Sequence, residues 1–175
     1  MRASTIWTAL AALATQSCTM DAFTVTRSAT ATLVVNATNA RGVSVGFTEL
    51  TPDFPRAALR SLDGTNGDLG SLPGGSRSTA VDIDDDGTIV GQSETATGEF
   101  RAVLWRDGSI QDLGTLPHGH FSVASGINGA AVLGESDASD GTLHAFLWVG
   151  GRMTDLGRLS APASDDEPRL RRDRR

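Results

Sequence analysis

The feature that most constrains this 175-residue chain is internal self-similarity. The tripeptide Asp-Leu-Gly begins at Asp68, Asp112 and Asp155, at spacings of 44 and 43 residues, and its first two copies continue into Leu-Pro-Gly-Gly and Leu-Pro-His-Gly. Other motifs recur in the same order, among them Ala-Val-Leu-Trp at 102–105 and Ala-Phe-Leu-Trp at 145–148. Repeats of this length are typical of solenoids and propellers, in which each unit buries its apolar face against a neighbour.

A degraded copy precedes these two. Residues 39–46 align with 84–91, and residues 56–59 align with 101–104, but Arg60 stands where the later copies carry Trp. Terminal repeats are commonly atypical because one of their faces has no neighbour. The predicted organisation is a candidate signal or N-terminal helix at 1–18, a degraded first repeat at 19–67, a repeat at 68–111, a repeat with the start of the next at 112–160, and a disordered, Arg-rich tail at 161–175.

Each unit is predicted to form four short strands. Thr79, Val81 and Ile83 alternate with polar residues, which is the period of a strand with one buried face. A turn at 85–87 is predicted to lead into a second strand at 88–90. The third and fourth strands are predicted at 100–105 and 109–113, with copies at 143–148 and 152–156. The predicted fold class is therefore all-β, with antiparallel four-stranded repeat units, about two and a half in number, forming an incomplete β-propeller-like arc, because a closed propeller needs about four blades or more.

The most complete unit resembles a known family. The stretch His-Ala-Phe-Leu-Trp at 144–148, followed by Met-Thr-Asp-Leu-Gly at 153–157, is similar to the bacterial extracellular repeat family named for its His-Ala-Phe (HAF) motif. The segment at 122–128 is similar to that family's Ala-x-Gly-Ile-Asn stretch. Arg56 and Arg101 replace the His in the other units. The resemblance implies secretion and a repeat architecture, and it carries over neither an activity nor catalytic residues.

The ends and the charge of the chain bear on its location and partners. A positive charge at Arg2, an apolar run at 6–14 and the small residues of Ala12-Leu13-Ala14 predict an export signal, with cleavage near Ser17 also open. The alternatives are an amphipathic helix and the last strand of a preceding unit. No apolar run reaches the ~18 residues of a transmembrane helix. A net charge of −6 argues against nucleic-acid binding. The lone Cys18 excludes an intramolecular disulfide and a multi-cysteine metal site.

Two clusters of residues have side chains that could bind a metal ion. Asp82, Asp84 and Asp86, followed by Gly, match the opening of a calcium loop, but residues 88–93 supply no acidic group to close the shell. A solvated hairpin turn is the preferred interpretation, and calcium binding stays open. His118 and His120 form the one close pair of imidazoles and lack a third ligand nearby, which favours a loop without metal. The sequence therefore predicts no metal site and no cofactor.

No residue is predicted to be catalytic. His144 corresponds to Arg in the other units, which indicates a polar group at a strand edge rather than a proton shuttle. Trp105 and Trp148 could form a sugar-binding platform, but their fixed place at the end of an apolar strand favours core packing. Asp112 and Asp155 could serve as paired carboxylates for glycoside hydrolysis. Their recurrence once per unit indicates instead that they cap a turn.

The functional hypothesis is a non-enzymatic, secreted or cell-surface repeat protein, a binding module for an unknown protein or glycan. The alternatives are a fragment of a propeller hydrolase or lyase, and a non-functional remnant. An incomplete arc leaves an uncovered sheet face at each end, so self-association is also predicted, either head-to-tail or through a two-fold axis. A marginal monomer, capped by its degraded first repeat, is the competing expectation.

Overall fold

The computed structural model describes residues 32–49 and 54–158, which form three open, four-stranded antiparallel sheets. In each sheet the strands are neighbours in chain order. Sheet I contains β1 (Leu33–Thr38), β2 (Ser44–Glu49), β3 (Pro55–Arg60) and β4 (Asn66–Asp68). Sheet II contains β5 (Ser78–Ile83), β6 (Ile89–Glu94), β7 (Phe100–Arg106) and β8 (Ser109–Gly114). Sheet III contains β9 (Ser122–Asn128), β10 (Ala131–Asp137), β11 (Leu143–Val149) and β12 (Arg152–Arg158).

The all-β prediction is confirmed, since every regular element of the described residues is a strand and no sheet closes on itself. The number of units is larger than the two and a half predicted. Strand β1 completes sheet I, although all of it precedes residue 39, where the recognisable similarity begins. The candidate signal at 1–18, with Cys18, and the tail at 161–175 lie outside the described residues.

The prediction that Thr79, Val81 and Ile83 share one buried face is wrong, because strand β5 contains a bulge. Ala80 is fully buried, whereas its two neighbours are partly exposed. The pairing with β6 shifts by one residue between Ala80 and Asp82. An extra residue at a bulge reverses the alternation of faces, so Ile83 joins Ala80 on the buried side. Strand β9 carries a shift in its pairing with β10 as well.

The core lies between successive sheets rather than inside any one of them. We call the face that a sheet turns toward the preceding sheet its N-side face, and the opposite one its C-side face. The interface of sheets I and II buries Val45, Ala57, Leu59, Leu69 and Leu72 against Ala80, Ile83, Ile89, Val103 and Trp105. The interface of sheets II and III buries Val90, Ala102, Leu113 and Leu116 against Ala124, Val132 and Phe146, with Leu104, Ile127, Trp148 and Met153 packed at its edge.

The two tryptophans both belong to these interfaces. Trp105 is fully buried, which confirms its predicted role in the core. Trp148 packs against the second cluster and remains partly exposed. Because both rings lie on N-side faces that another sheet of this chain covers, they serve packing between sheets.

Candidate interaction surface

The three Asp-Leu-Gly motifs close the three sheets in the same way. The Oδ1 atoms of Asp68, Asp112 and Asp155 accept hydrogen bonds from the backbone N–H groups two residues later, at 2.8, 2.8 and 2.7 Å. The glycines of the motif adopt φ values of 80, 80 and 97°, which favour glycine over residues with a Cβ. The predicted local capping role of Asp112 and Asp155 is confirmed, but what they cap is a bulge within the last strand of the sheet rather than a turn.

The acidic hairpin turn of sheet II spreads its carboxylates over both neighbouring sheets. Asp82 Oδ2 accepts from Ile127 N of sheet III at 2.9 Å, and Asp84 Oδ2 accepts from Gly129 N. On the other side, Asp85 Oδ1 accepts from Ala40 N of sheet I at 2.9 Å. The described residues contain no group of three or more His, Cys, Asp or Glu side chains placed to hold a metal ion. These carboxylates therefore join the hairpins of adjacent sheets.

The histidine pair of the 118–120 loop does not converge. His120 Nδ1 lies 3.2 Å from Glu99 Oε1, while exposed His118 adopts a φ of 67°. The backbone N–H of His120 donates to Asp137, and the N–H of Phe121 donates to the same carboxylate at 2.7 Å. The loop is thus fastened to the end of β10 through its backbone.

His144 lies between two carboxylates. Its Nδ1 is 2.9 Å from both oxygens of Asp155, and this hydrogen bond raises the pKa of the imidazole above its usual value. The pKa of Asp155 is lowered, first by the hydrogen bond from Gly157 N–H and then by the one with His144. Nε2 faces Asp140 Oδ2 at 3.5 Å, a second carboxylate rather than a hydroxyl. The arrangement suits an ion pair at a strand edge, and Arg56 makes the equivalent contact with Asp68 at 3.0 Å.

Two buried serine hydroxyls bridge successive sheets beside the third strand of the preceding sheet. Ala57 N of sheet I donates to Ser78 Oγ of sheet II at 3.0 Å, and this hydroxyl donates to Gly70 O at 2.7 Å. Ser122 repeats both contacts between sheets II and III, with Ala102 N at 2.8 Å and Gly114 O at 2.6 Å. Each serine thus satisfies one donor and one acceptor on the C-side face of the preceding sheet.

A second pair of serines accepts hydrogen bonds from the segments that join successive sheets. Leu72 N donates to Ser93 Oγ at 2.8 Å, and Leu116 N donates to Ser136 Oγ at 3.0 Å. All four serines are 0–1% exposed. Ser93 and Ser136 occupy equivalent positions of their repeats, but serine is usually a surface residue, so the recurrence alone does not indicate this buried role.

The C-side face of sheet III has the composition of a buried interface and is open. One cross-strand pair of apolar residues recurs on this face of all three sheets: Val45–Leu59, Val90–Leu104 and Leu133–Leu147. The Leu of Asp-Leu-Gly lies beside it, and Leu69 and Leu113 are 6% and 7% exposed. In sheet III, by contrast, Leu133 is 52% and Leu156 is 55% exposed. Leu143 and Val149 are exposed on the neighbouring strand as well.

The opposite end of the arc mixes polar and apolar residues: Val35, 49% exposed, and the buried Leu33 and Ala58 share its face with several polar groups. On the N-side face of sheet I, Thr38 and Ser44 occupy the positions of Ile83 and Ile89, and their hydroxyls are 2.9 Å apart. Arg60 replaces the Trp of the later units and donates from Nε to Asn66 Oδ1 at 2.8 Å. The two ends of the arc therefore differ in character: at the first end polar, hydrogen-bonded residues replace the central apolar ones, whereas the second end is an apolar sheet face.

Comparisons with protein-family models, with curated proteins and with solved structures gave no match to this chain. In the part of the chain that the structure describes, no helix has the length and apolar character needed to cross a membrane. The open face of sheet III is accordingly identified from the geometry alone.

Proposed function

We propose that this chain is a non-enzymatic interaction module, and that the C-side face of sheet III is its contact surface. The observation that carries the proposal is the exposure of Leu133 and Leu156. Their counterparts in sheets I and II are buried at interfaces between sheets of the same chain. Contiguous apolar surface on a folded protein commonly marks a site of contact with another molecule.

We further propose that the module is exported and belongs to the HAF-motif repeat family. Two observations support the family assignment: the Asp-Leu-Gly motif caps the end of each sheet, and the Ala-x-Leu-Trp strand supplies the packing between sheets. Export rests on the order of charge, apolar run and small residues at 1–14. Mass spectrometry of the protein from its host should find an N-terminus after Ala14 or within the next few residues, and an intracellular protein beginning at Met1 would contradict export.

The contact surface can be tested with a pair of equivalent substitutions. Leu156→Glu should change the free energy of unfolding by less than about 0.5 kcal/mol, as is usual for exposed positions. Leu113→Glu is the matched variant at a buried position. It should cost at least about 3 kcal/mol, because truncating a buried Leu costs about 2–5 kcal/mol and a buried carboxylate adds to this. Urea unfolding followed by Trp fluorescence measures both.

A dye that fluoresces on apolar surfaces gives an independent readout. The native chain should bind it, and Leu133→Glu together with Leu156→Glu should remove most of the signal. If Leu156→Glu destabilises the chain as strongly as Leu113→Glu does, this face is already covered within the chain and the proposed function fails.

A further inference from the structure

We propose that the C-side face of sheet III is the docking surface for a further four-stranded sheet of this same repeat type, one that residues 1–175 do not themselves supply. The proposal rests on the proposed function of this face as a contact surface and identifies its partner. The evidence is the way in which sheets II and III cover the equivalent C-side faces of sheets I and II.

The apolar part of the face has a known complement. The Val45–Leu59 pair of sheet I packs in one cluster with Ile89 and Trp105 from the N-side face of sheet II. Sheet III presents the same kind of pair, Leu133–Leu147, in the same register between its second and third strands. A further sheet with an aliphatic and a large aromatic residue on its N-side face would bury Leu133–Leu147, as sheets II and III bury the equivalent pairs of the sheets before them.

Two backbone groups on this face indicate that the partner is a sheet of this repeat type. Ala145 N and Gly157 O occupy the positions of Ala102 N and Gly114 O, which Ser122 bridges at the interface of sheets II and III. No described sheet covers this end of the arc, so no described serine reaches them. Covering an unpaired backbone donor and acceptor is costly. The partner therefore needs a serine at the start of its first strand.

The chain's own N-side end does not meet these requirements. By its pairing with Thr48, Leu33 stands in sheet I where Ser78 stands in sheet II. Thr38, Ser44 and Arg60 replace the apolar residues that would face Leu133 and its neighbours. A second copy docked head-to-tail would place these polar groups on apolar surface. The residues after sheet III also lack the pattern, because Asp165 and Glu167 stand where Ser122 and Ala124 would be expected.

The proposal can be tested with two full-length chains. The first is the native chain. The second, the acceptor variant, carries Leu33→Ser, Thr38→Ile, Ser44→Ile and Arg60→Trp, which give sheet I the N-side residues of sheet II, together with Leu156→Glu, which blocks its own C-side face. Apolar faces can then meet head-to-tail in one way only, between sheet III of the native chain and sheet I of the variant. Sedimentation of the mixture should show a 1:1 complex at micromolar concentration.

Hydrogen exchange and two controls make the result specific. In the complex the amide of Ala145 in the native chain should exchange at least about tenfold more slowly, because it gains a serine acceptor. An acceptor variant that keeps Leu33 should bind about tenfold or more weakly, since the buried amide then lacks its partner. A native chain carrying Leu156→Glu should not bind.

Three outcomes would overturn the proposal. The first is the absence of a complex although the acceptor variant has the circular dichroism spectrum of the native chain. The second is dimerisation of the native chain alone with protection of Ala145, since the occupant would then be a second copy. If the acceptor variant does not fold, a second protein is used, the native chain extended after Leu159 by a second copy of residues 117–159. The third outcome is that hydrogen exchange at Ala145 in this extended chain is the same as in the native chain. None of these outcomes decides whether the face is exposed, so the proposed function is tested separately by the Leu156→Glu and Leu113→Glu variants.

Discussion

At the scale of single residues, the hydroxyl groups of a few buried serines join one sheet to the next. Ser78 and Ser122 each accept from a backbone amide of the preceding sheet and donate to a glycine carbonyl there. A serine is small enough to fit between two closely packed sheets and carries both a donor and an acceptor. Polar residues at these positions therefore contribute to the packing of apolar ones.

Replacing one bridging serine should be costly. Ser122→Ala leaves Ala102 N and Gly114 O buried without their partner, which should lower the free energy of unfolding by about 1–3 kcal/mol. Ser125→Ala, on the same strand but exposed, is the matched control and should change it by less than about 0.5 kcal/mol. Equal urea midpoints for the two variants would contradict the role of the bridge.

The carboxylate of Glu94 should make stability depend on acid pH. Hydrogen bonds from Arg77 and then from Ser76 lower its pKa to about 2. Because this pKa lies below the unfolded value of 4.5, the stabilisation is present above pH 4.5 and is lost as the pH falls toward 2. Glu94→Gln should therefore lose less stability than the native chain between pH 5 and pH 2.5, as measured by thermal unfolding across that range. Glu135→Gln is the control, and an unchanged acid limb in Glu94→Gln would contradict the assignment.

The residue scale is also where the sequence was most and least informative. The capping role of Asp112 and Asp155 could be predicted, because an acidic residue repeated once per unit before glycine has a local partner. The bridging role of Ser122 could not, since its partners lie 20 and 8 residues earlier on a different sheet. Local contacts leave a sequence pattern, whereas contacts between sheets leave only a recurrence.

At the scale of elements, the segment that joins two sheets explains the Leu-Pro-x-Gly motif. A Cβ on Gly119 would lie 2.3 Å from Asp137 O, and one on Gly75 would lie 1.9 Å from Glu94 O, so only glycine fits against the end of the second strand. The preceding position needs a positive φ, which Gly74 adopts at 81° and His118 at 67°. The motif therefore records one steric and one conformational requirement.

His118 is the exception within this motif, and changing it should stabilise the protein. A left-handed conformation costs a residue with a Cβ roughly 1–2 kcal/mol, part of which the greater freedom of glycine in the unfolded chain offsets. His118→Gly should thus raise the free energy of unfolding by up to about 1 kcal/mol. Gly119→Ala should lower it by several times that amount because of the backbone contact. Calorimetry of both variants checks the signs, and a destabilised His118→Gly would show that the imidazole contributes more than the strain costs.

In sheets II and III most strand boundaries were predicted closely, but the second strand, predicted at 88–90, extends from Ile89 to Glu94, and element faces were predicted less well. Strand positions followed from turns rich in Gly and Asp, whereas the buried face of β5 was misassigned because the bulge at Ala80–Asp82 changes the alternation. A bulge adds one residue without changing composition, so a period-two pattern cannot reveal it.

At the scale of the whole molecule, the arc is covered unequally. Sheet II packs on both faces, while sheets I and III each pack on one within the described residues. In an array whose units contact only their neighbours, the stability of a unit follows the number of its interfaces. The sequence predicted an arc with two open ends, and only the structure shows that polar residues replace the central apolar ones at one end and not at the other.

Native-state hydrogen exchange should reveal this inequality. Amides of β6, in the middle of the doubly covered sheet, should exchange at least about tenfold more slowly than those of β11 in sheet III. Leu156→Glu should leave the order unchanged, because it alters an exposed position. Equal protection of all three sheets would mean that the arc opens as one cooperative unit.

The open face of sheet III also has a meaning in time. Sheets form from consecutive strands and pack on the sheet before them, so a chain that emerges from its N-terminus completes sheet I, then sheet II, then sheet III. At each stage the newest sheet exposes the same apolar pair until the next sheet covers it. For Val45–Leu59 and Val90–Leu104 this exposure ends during synthesis. Leu133–Leu147 keeps, in the folded protein, the surface of a nascent intermediate, the kind of surface that chaperones bind.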